Sequence, residues 1–253
     1  MTPYKTIAHF YDQLHGDNAP AMNRHARGKI LGGVLPRVRS ICDLGCGTGT
    51  TALEFARQGY QVYAVDLSPT MCRLAREKAR RAGLPVRVLC ADLRSFSLPH
   101  AVDLVSCEFN PLNHLRRKED LERAARAAAR ALRPGGWFYF DLNTRRSLEE
   151  LYPGTRWIEK RNFCVVMHGG YDRRRKKGWL EFEWFLRAGR GWRREKERVE
   201  DVWWTEAEVR RALRRAGFGR IRSWDGAQVR PRSMGSKPGY DLYFLAEKQS
   251  AGV

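Results

Sequence analysis

The sequence lacks the features that would place it in several protein classes. Its six cysteines include no Cys-x-x-C pair and are not accompanied by clustered histidines, so no metal site is predicted. No apolar run reaches the length of a membrane helix, and the N-terminus has no uninterrupted apolar segment like that of a signal peptide. We therefore expect free thiols, a reducing cytoplasmic compartment and no membrane partner.

Acidic residues are also few relative to basic ones. The 253 residues include 28 Asp and Glu against 47 Lys and Arg, which gives a formal net charge of +19. Such an excess is typical of proteins with nucleic-acid or other acidic partners. The basic side chains are spread over predicted helices and turns, however, and the basic turn at residues 172–177 fits a solvated hairpin tip better than an RNA-binding patch. A nucleic-acid partner therefore stays an alternative.

What the sequence does contain is a glycine-rich turn at residues 43–49, of sequence Asp-Leu-Gly-Cys-Gly-Thr-Gly. Apolar and β-branched residues precede it, and apolar residues at helical spacing follow it, so it joins a strand to a helix. Glycine has no Cβ, so its backbone adopts positive φ and a ligand can lie directly against it. The free N–H groups at the start of the helix point at the same place, which makes the turn a candidate ligand site.

Several ligands use such a turn, and spacing and charge distinguish them. A dinucleotide fingerprint needs a small third residue where Thr50 stands, and a P-loop needs a Gly-Lys-Ser/Thr sequence that is absent here. Asp43, just before the turn, would repel a phosphate and attract a cationic ligand. Two other interpretations of the turn stay open: that it binds another nucleotide-like ligand, or that it has only a structural role.

The pattern Asp43-x-Gly45-x-Gly47-x-Gly49 resembles the first motif of the class I S-adenosylmethionine-dependent methyltransferases. The resemblance covers residues 38–248, strongly to about residue 144 and in outline through the rest. It implies S-adenosylmethionine as the methyl donor and S-adenosylhomocysteine as the product. It also implies that the last strand runs antiparallel beside the fifth.

Acids also end the second and third predicted strands. Asp66 stands beside the glycine turn with two oxygens for the two hydroxyls of a ribose, although a simple surface acid is the alternative. The resemblance implies that Asp92 accepts the adenine amine and that Tyr11 reaches the methionine end, although Tyr11 fits an ordinary core position equally well. The residues predicted to bind the cofactor are Tyr11, Asp43, Gly45, Cys46, Gly47, Gly49, Asp66, Leu67, Met71, Asp92, Leu93 and Phe109.

Strand and helix patterns alternate through the first part of the chain. The predicted strands lie at residues 41–44, 61–66, 86–90, 102–107 and 137–140, and two closing strands lie at 221–224 and 240–246. We therefore expect an α/β fold with a doubly wound, mostly parallel seven-stranded sheet, in which the resemblance makes the last strand antiparallel.

Residues 152–204 interrupt the alternation. Apolar and polar residues alternate at 180–187, and further short strands are predicted at 163–167 and at 192–202, after a glycine-containing turn, so we expect an antiparallel β insertion. We interpret this insertion as a lid over the acceptor. The expected organisation is an N-terminal helical cap at residues 1–36, a cofactor-binding core at 37–150 and 205–248, and a lid at 151–204.

The leading hypothesis is a small-molecule O- or N-methyltransferase, which acts mainly by holding donor and acceptor together. Candidates for a proton acceptor are His114, Glu108 and His168, although a lone histidine is often structural. The segment Asn110-Pro111-Leu112-Asn113 lacks the second proline and the aromatic ring that base-methylating enzymes carry there, which argues against base methylation.

Three alternatives stay open: an RNA-modifying methyltransferase, a nicotinamide oxidoreductase and a cofactor-binding module without catalysis. The acceptor identity is not predicted. We expect a monomer or a homodimer.

Overall fold

The computed structural model describes residues 4–16, 18–231 and 237–250. Within these ranges the strands are β1 (Ser40–Leu44), β2 (Gln61–Asp66), β3 (Val86–Cys90), β4 (Val102–Cys107), β5 (Leu132–Asn143), β6 (Gly154–Glu159), β7 (Phe163–Asp172), β8 (Lys177–Ala188), β9 (Gly191–Val202), β10 (Arg222–Asp225) and β11 (Asp241–Glu247). The α-helices are α1 (Ile7–His15), α2 (Asn18–Leu31), α3 (Thr50–Arg57), α4 (Pro69–Arg81), α5 (Lys118–Ala131), α6 (Arg145–Leu151), α7 (Glu206–Arg215) and α8 (Gly226–Val229).

The main sheet has seven strands in the order β10-β11-β5-β4-β1-β2-β3. β1 pairs in parallel with both β2 and β4, while β11 lies antiparallel between β5 and β10. This arrangement confirms the predicted fold class, including the last strand that runs antiparallel beside the fifth. The parallel strands all end at one edge of the sheet, where ligands bind in open α/β folds.

The sheet is covered on both faces, as the apolar runs of its strands require. Successive residues of β1 point to opposite faces, so Ile41 joins one apolar cluster while Cys42 and Leu44 join another. Side chains of α2 and α3 fill the first cluster, and the alanine-rich face of α5 fills the second together with α7. The two layers fix the central strand, and with it the position of the glycine turn.

A second sheet contains β6, β7, β8 and β9 in that order, all antiparallel. Three of its strands were expected from alternating apolar residues. β6 was missed because it lies at the edge of the sheet, where five of its six residues are exposed and no alternation is needed. The predicted cap and core also include residues 1–3, 17 and 232–236, which lie outside the described ranges.

Helix α1 packs on the second sheet. Glu197 of β9 accepts the backbone N–H groups of Thr6 and Ile7 at 3.2 and 2.8 Å, which stabilises the start of the helix. The ring of Phe10 stacks on Trp184, with centroids 5.3 Å apart. The second sheet therefore holds α1 in position above the carboxyl edge of the main sheet.

The described residues include no helix that is both long enough and apolar enough to cross a lipid bilayer.

Candidate active site

A cavity of about 560 Å³ lies at the carboxyl ends of β1, β2 and β4, beside the glycine turn. Its size and its position at the strand ends suit a nucleoside-sized ligand. The predicted cofactor-binding residues that line it are Tyr11, Asp43, Gly45, Cys46, Gly47, Asp66, Leu67, Met71, Asp92, Leu93 and Phe109. The structure thus brings together residues from five separate segments of the chain.

The glycine turn depends on backbone conformations that favour glycine. Gly45, Gly47 and Gly49 have φ values of 73°, 54° and 85°. A Cβ on Gly45 would lie 2.6 Å from Cγ of Pro111, and a Cβ on Gly49 would lie 3.0 Å from Cβ of Ala75. Gly49 does not line the cavity, so in this structure its small size serves the close approach of α3 to α4.

Asp43 lies under the turn and is 2% exposed. Its Oδ2 has no hydrogen-bond partner among the described residues. Burial raises the pKa of Asp43 well above its ordinary value, and the nearby charge of Glu108 raises it further. A buried, uncompensated carboxylate is stabilised by a cation, so this side of the cavity favours a positively charged ligand.

Asp66 ends β2 at the opposite side of the turn. Its Oδ2 accepts the N–H of Gly47 and its Oδ1 accepts the N–H of Ser68, both at 2.8 Å. Each carboxylate oxygen keeps a second lone pair for another donor. Leu67 is 51% exposed and Met71 is buried, and both line the cavity next to this carboxylate. The arrangement can bind a ligand that carries paired hydroxyl groups next to an apolar ring.

Asp92 also lines the cavity, but its carboxylate is occupied by a neighbour. Arg94 Nη2 lies 2.6 Å from Asp92 Oδ2, and the backbone N–H of Arg94 donates to Oδ1 at 2.9 Å. The hydrogen bonds from Arg94 lower the pKa of Asp92 despite its partial burial. The predicted contact with an adenine amine would therefore use the carboxylate lone pairs of Asp92 that do not accept a hydrogen bond from Arg94.

Helix α1 closes one side of the cavity. Asp12 Oδ2 lies 2.5 Å from Nζ of Lys78 in α4, and Asp12 Oδ1 accepts the hydroxyl of Thr48 at 2.6 Å. These contacts tie the helix directly to the glycine turn. Tyr11, on the same helix, then lines the cavity, where burial raises the pKa of its hydroxyl.

A second cavity of about 630 Å³ adjoins the first, between the end of β5, α1 and the second sheet. Four residues line both cavities: Tyr4, Tyr11, Phe109 and His114. Phe109 and Asn110 have φ values of 67° and 60°, a left-handed conformation that is rare for residues other than glycine. The loop after β4 therefore separates two neighbouring ligand-sized spaces.

His114 stands at this boundary within a chain of hydrogen-bonding groups. Its Nδ1 lies 2.7 Å from Oδ1 of Asp201 in β9, and its Nε2 lies 2.9 Å from the hydroxyl of Tyr4. Tyr152 donates its hydroxyl to Oδ2 of the same aspartate. Burial lowers the pKa of His114, but the charge and hydrogen bond of Asp201 raise it more, so the pKa lies above its ordinary value.

The sequence and the fold were compared with those of known proteins. Residues 41–136 match the family described as methyltransferase domain. This segment is a methyltransferase domain. The putative methyltransferase YqeM of Bacillus subtilis strain 168 is 28% identical over 158 residues, which are 62% of each chain. The dTDP-4-amino-2,3,4,6-tetradeoxy-D-glucose N,N-dimethyltransferase of Saccharopolyspora spinosa is 32% identical over 132 residues, 51% of each chain. The chain thus spans less than two thirds of these relatives.

Solved structures share the whole architecture with this methyltransferase domain and its second sheet. An S-adenosylmethionine-dependent methyltransferase from Clostridium acetobutylicum ATCC 824 is 22% identical with a TM-score of 0.79, covering 98% of this chain and 99% of that one. CalS10, an amino pentose methyltransferase from Micromonospora echinaspora solved with S-adenosylmethionine bound, is 22% identical with a TM-score of 0.73 and the same coverage. The fold is that of the class I S-adenosylmethionine-dependent methyltransferases.

Two of the three residues predicted as proton acceptors lie away from the boundary of the two cavities, although Glu108 lines the first cavity. Both oxygens of Glu108 bind Nη1 of Arg27, at 2.8 and 2.9 Å, and Ser106 donates to the same carboxylate. Its carboxylate oxygens are thus occupied by neighbouring side chains. His168 is exposed on β7, hydrogen-bonded to Thr155, and lines neither cavity. His114 is the candidate that the structure brings to the boundary.

Several residues of the site were not predicted. Tyr4, Tyr152 and Asp201 lie far apart in the sequence, and only the packing of α1 and the second sheet brings them to His114. Asp141 had a visible signal, because it ends the apolar fifth strand as Asp43 ends the first. It is fully buried and lines the second cavity.

Proposed function

We propose that the protein is an S-adenosylmethionine-dependent methyltransferase that methylates an oxygen or nitrogen atom of a small molecule. The observation that carries this proposal is the pair of carboxylates at the ends of β1 and β2. Asp43 is buried with an unpartnered oxygen, and Asp66 borders the same cavity with its oxygens oriented by two backbone N–H groups. The first favours the positive charge of the donor, and the second favours its ribose hydroxyls.

The remaining cofactor contacts follow from the lining of the first cavity. Leu67, Met71 and Leu93 would pack on the adenosine, Asp92 would accept the adenine amine, and Tyr11 would cover the methionine end. When bound, S-adenosylmethionine supplies an electrophilic methyl group on a sulfonium. The protein holds that group against the acceptor and keeps water out, so much of the rate comes from position and orientation.

His114 takes the proton that an acceptor releases. With the ring proton on Nδ1, which lies 2.7 Å from Asp201 Oδ1 and 3.4 Å from the carbonyl oxygen of Glu200, Nε2 is the basic nitrogen. The hydroxyl of Tyr4 lies 2.9 Å from Nε2. The hydroxyl can donate its own proton to Nε2 and accept another from the acceptor. Asp201 acts by orienting the ring and stabilising the imidazolium, and Tyr152 holds Asp201 in place. Glu108 serves as the partner of Arg27.

The acceptor is a small molecule because it must fit the second cavity, of about 630 Å³. The relative from Saccharopolyspora spinosa is named for N,N-dimethylation of a nucleotide-linked amino sugar, and CalS10 is described as an amino pentose methyltransferase. Both relatives resemble this chain in sequence or fold. We propose an acceptor of comparable size.

We also propose the division of the chain into a helical cap at residues 1–36, a cofactor-binding core at 37–150 and 205–248, and a lid at 151–204. Helix α1 and the second sheet both line the second cavity, which supports a role in enclosing the acceptor. All six cysteines are free thiols, which supports a reducing cytoplasmic compartment. The protein is proposed to act as a monomer or a homodimer.

Calorimetric titration with S-adenosylhomocysteine tests the proposed cofactor site. The native chain should bind one molecule, and Asp66→Ala should weaken binding at least about tenfold, because two hydrogen bonds to a charged acceptor are lost. The matched control is Asp172→Ala in the β7–β8 hairpin, where the aspartate caps its own turn and contacts neither cavity. Unchanged affinity in Asp66→Ala would refute the assigned ribose contact.

A further inference from the structure

The second cavity is lined by a buried carboxylate that forms no ion pair with the described residues. Asp141 lies two residues before the end of β5 and is 0% exposed. Its Oδ1 accepts the backbone N–H of Asn110 at 3.2 Å, while its Oδ2 has no hydrogen-bond partner among the described residues. No ion pair within 4.0 Å joins Asp141 to a cationic side chain in the described part of the protein. The neutral N–H leaves most of the negative charge uncompensated.

The other acids around this cavity are paired, which sets Asp141 apart. Asp241 lies 2.5 Å from Nη1 of Arg230, and Asp201 lies 2.7 Å from His114. Arg230 has its Nε on the hydroxyl of Tyr243, so its donors are directed elsewhere. Burial raises the pKa of Asp141 to about 7, although the charge of Arg230 lowers it. Arg230 therefore offsets only part of the cost of burying this acid.

The loop that contacts this acid is itself held in an unfavourable conformation. Phe109 and Asn110 both have positive φ, and the peptide between Phe109 and Asn110 supplies the N–H that binds Asp141 Oδ1. Backbone strain of this kind persists where the surrounding structure requires it, and it concentrates at functional sites. Here the strained loop fixes one carboxylate oxygen and leaves the other, which is buried beside the second cavity, without a hydrogen-bond partner.

We propose that the acceptor is a small molecule with an aliphatic amine, and that Asp141 binds this amine as a cation. An ammonium group supplies both a donor for Oδ2 and the missing positive charge. A hydroxyl acceptor would supply the donor but leave the buried charge uncompensated. The proposal rests on the methyltransferase function proposed above and narrows it from oxygen or nitrogen to nitrogen.

The proton balance of the reaction fits this assignment. An ammonium nitrogen has no free electron pair, so one proton must leave it for Nε2 of His114, through the hydroxyl of Tyr4, before a C–N bond can form. The new C–N bond then forms as the S–CH₃ bond breaks, and sulfur keeps the electron pair of the broken bond. Asp141 remains ionised throughout and binds the positive charge of both the acceptor and the methylated product.

The test compares two probes of the same shape that differ in charge. The native protein is saturated with S-adenosylhomocysteine and titrated by calorimetry with cyclohexylamine and, separately, with cyclohexanol at about pH 8.5, where the amine is protonated and Asp141 is ionised. The amine should bind at least about tenfold more tightly than the alcohol. In Asp141→Asn the ratio should fall to about one, while S-adenosylhomocysteine affinity stays unchanged.

The control variant is Asp103→Asn, a buried aspartate at the opposite end of the sheet, which should keep the native preference for the amine. Equal binding of the two probes to the native protein, or no binding of the amine, overturns the proposal without any variant. Retained preference in Asp141→Asn overturns the assignment to this residue. Failure of S-adenosylhomocysteine to bind in the first step would instead refute the proposed function.

Discussion

Asp141 should destabilise the folded protein at any pH at which its carboxyl group is ionised. Its folded pKa of about 7 lies above the value near 4 expected in the unfolded chain, so the unfolded chain releases this proton first as pH rises. The contribution to stability therefore falls between about pH 4 and pH 7. Asp141→Asn should raise the free energy of unfolding by about 1–3 kcal/mol at pH 8 and by almost nothing at pH 4, measured by thermal unfolding.

Asp103 provides the matched control for that measurement. It accepts the backbone N–H groups of Arg39 and Ser40 at 2.6 and 2.9 Å, and its pKa is lowered although burial opposes the shift. Asp103→Asn should therefore destabilise the protein at pH 8, in the opposite direction. An Asp141→Asn variant that is less stable than the native protein at pH 8 would show that the carboxylate is already compensated.

His114 should titrate above its ordinary range because Asp201 stabilises the imidazolium. Asp201→Asn removes that charge, so the pKa of His114 should fall. Proton NMR titration of the histidine ring signals measures the shift directly and needs no acceptor. An unchanged His114 titration would exclude the proposed pairing.

Individual residues of the site were predictable only where a local pattern marks them. Asp43 and Asp66 each follow an apolar strand, and the glycines mark the turn that they flank. Glu108 carries the same local signal, but Arg27, from a distant helix, neutralises it. Ion pairs of this kind depend on tertiary packing, which spacing along the chain does not encode.

At the scale of elements, the glycine turn should tolerate no side chain at Gly45. The residue combines positive φ with a close approach to Pro111, so Gly45→Ala would strain the backbone and displace the loop after β4. Calorimetry should show a loss of S-adenosylhomocysteine affinity of at least about tenfold.

Gly59→Ala is the control that introduces backbone strain without disturbing the ligand site. Gly59 also has positive φ, at 87°, but its added Cβ would meet nothing within 4 Å, and the residue lies in the turn between α3 and β2. This variant should lose stability by about 1–2 kcal/mol and keep its cofactor affinity. Similar affinities for the two alanine variants would mean that the turn does not contact the ligand.

The main helices and strands could be predicted because burial within or against the sheet imposes a regular pattern of apolar residues on each of them. A strand buried on both faces must be continuously apolar, as β4 is, and a helix on the sheet must have one apolar face, as α5 has. β6 and α6 were missed, because an exposed edge strand and a helix of seven residues leave no such pattern.

At the scale of the whole molecule, the net charge of +19 should govern weak RNA contacts and not the proposed reaction. Many arginines form ion pairs on the surface, such as Arg145 with Glu149 and Arg215 with Glu122. RNA binding should weaken by orders of magnitude between about 50 and 200 mM salt, while affinity for S-adenosylhomocysteine changes little. RNA binding that persists at the higher salt would revive the RNA-modifying alternative.

The overall topology could be predicted from the sequence, but the chemistry of the acceptor cavity could not. Alternating strands and helices allow few arrangements, because parallel strands need crossover helices and right-handed connections. The acceptor cavity instead combines α1, the loop after β4 and the second sheet, so its chemistry depends on how three distant segments pack. No local pattern in the sequence reports that packing.

Calorimetric titration of the native chain with S-adenosylhomocysteine and, separately, with NAD shows which of the two ligands the glycine turn binds. An acid-flanked glycine turn should bind one S-adenosylhomocysteine per chain and should show no heat of binding with NAD, because Asp43 would face its pyrophosphate. Binding of NAD, or of neither ligand, would contradict the proposal that this site binds S-adenosylmethionine.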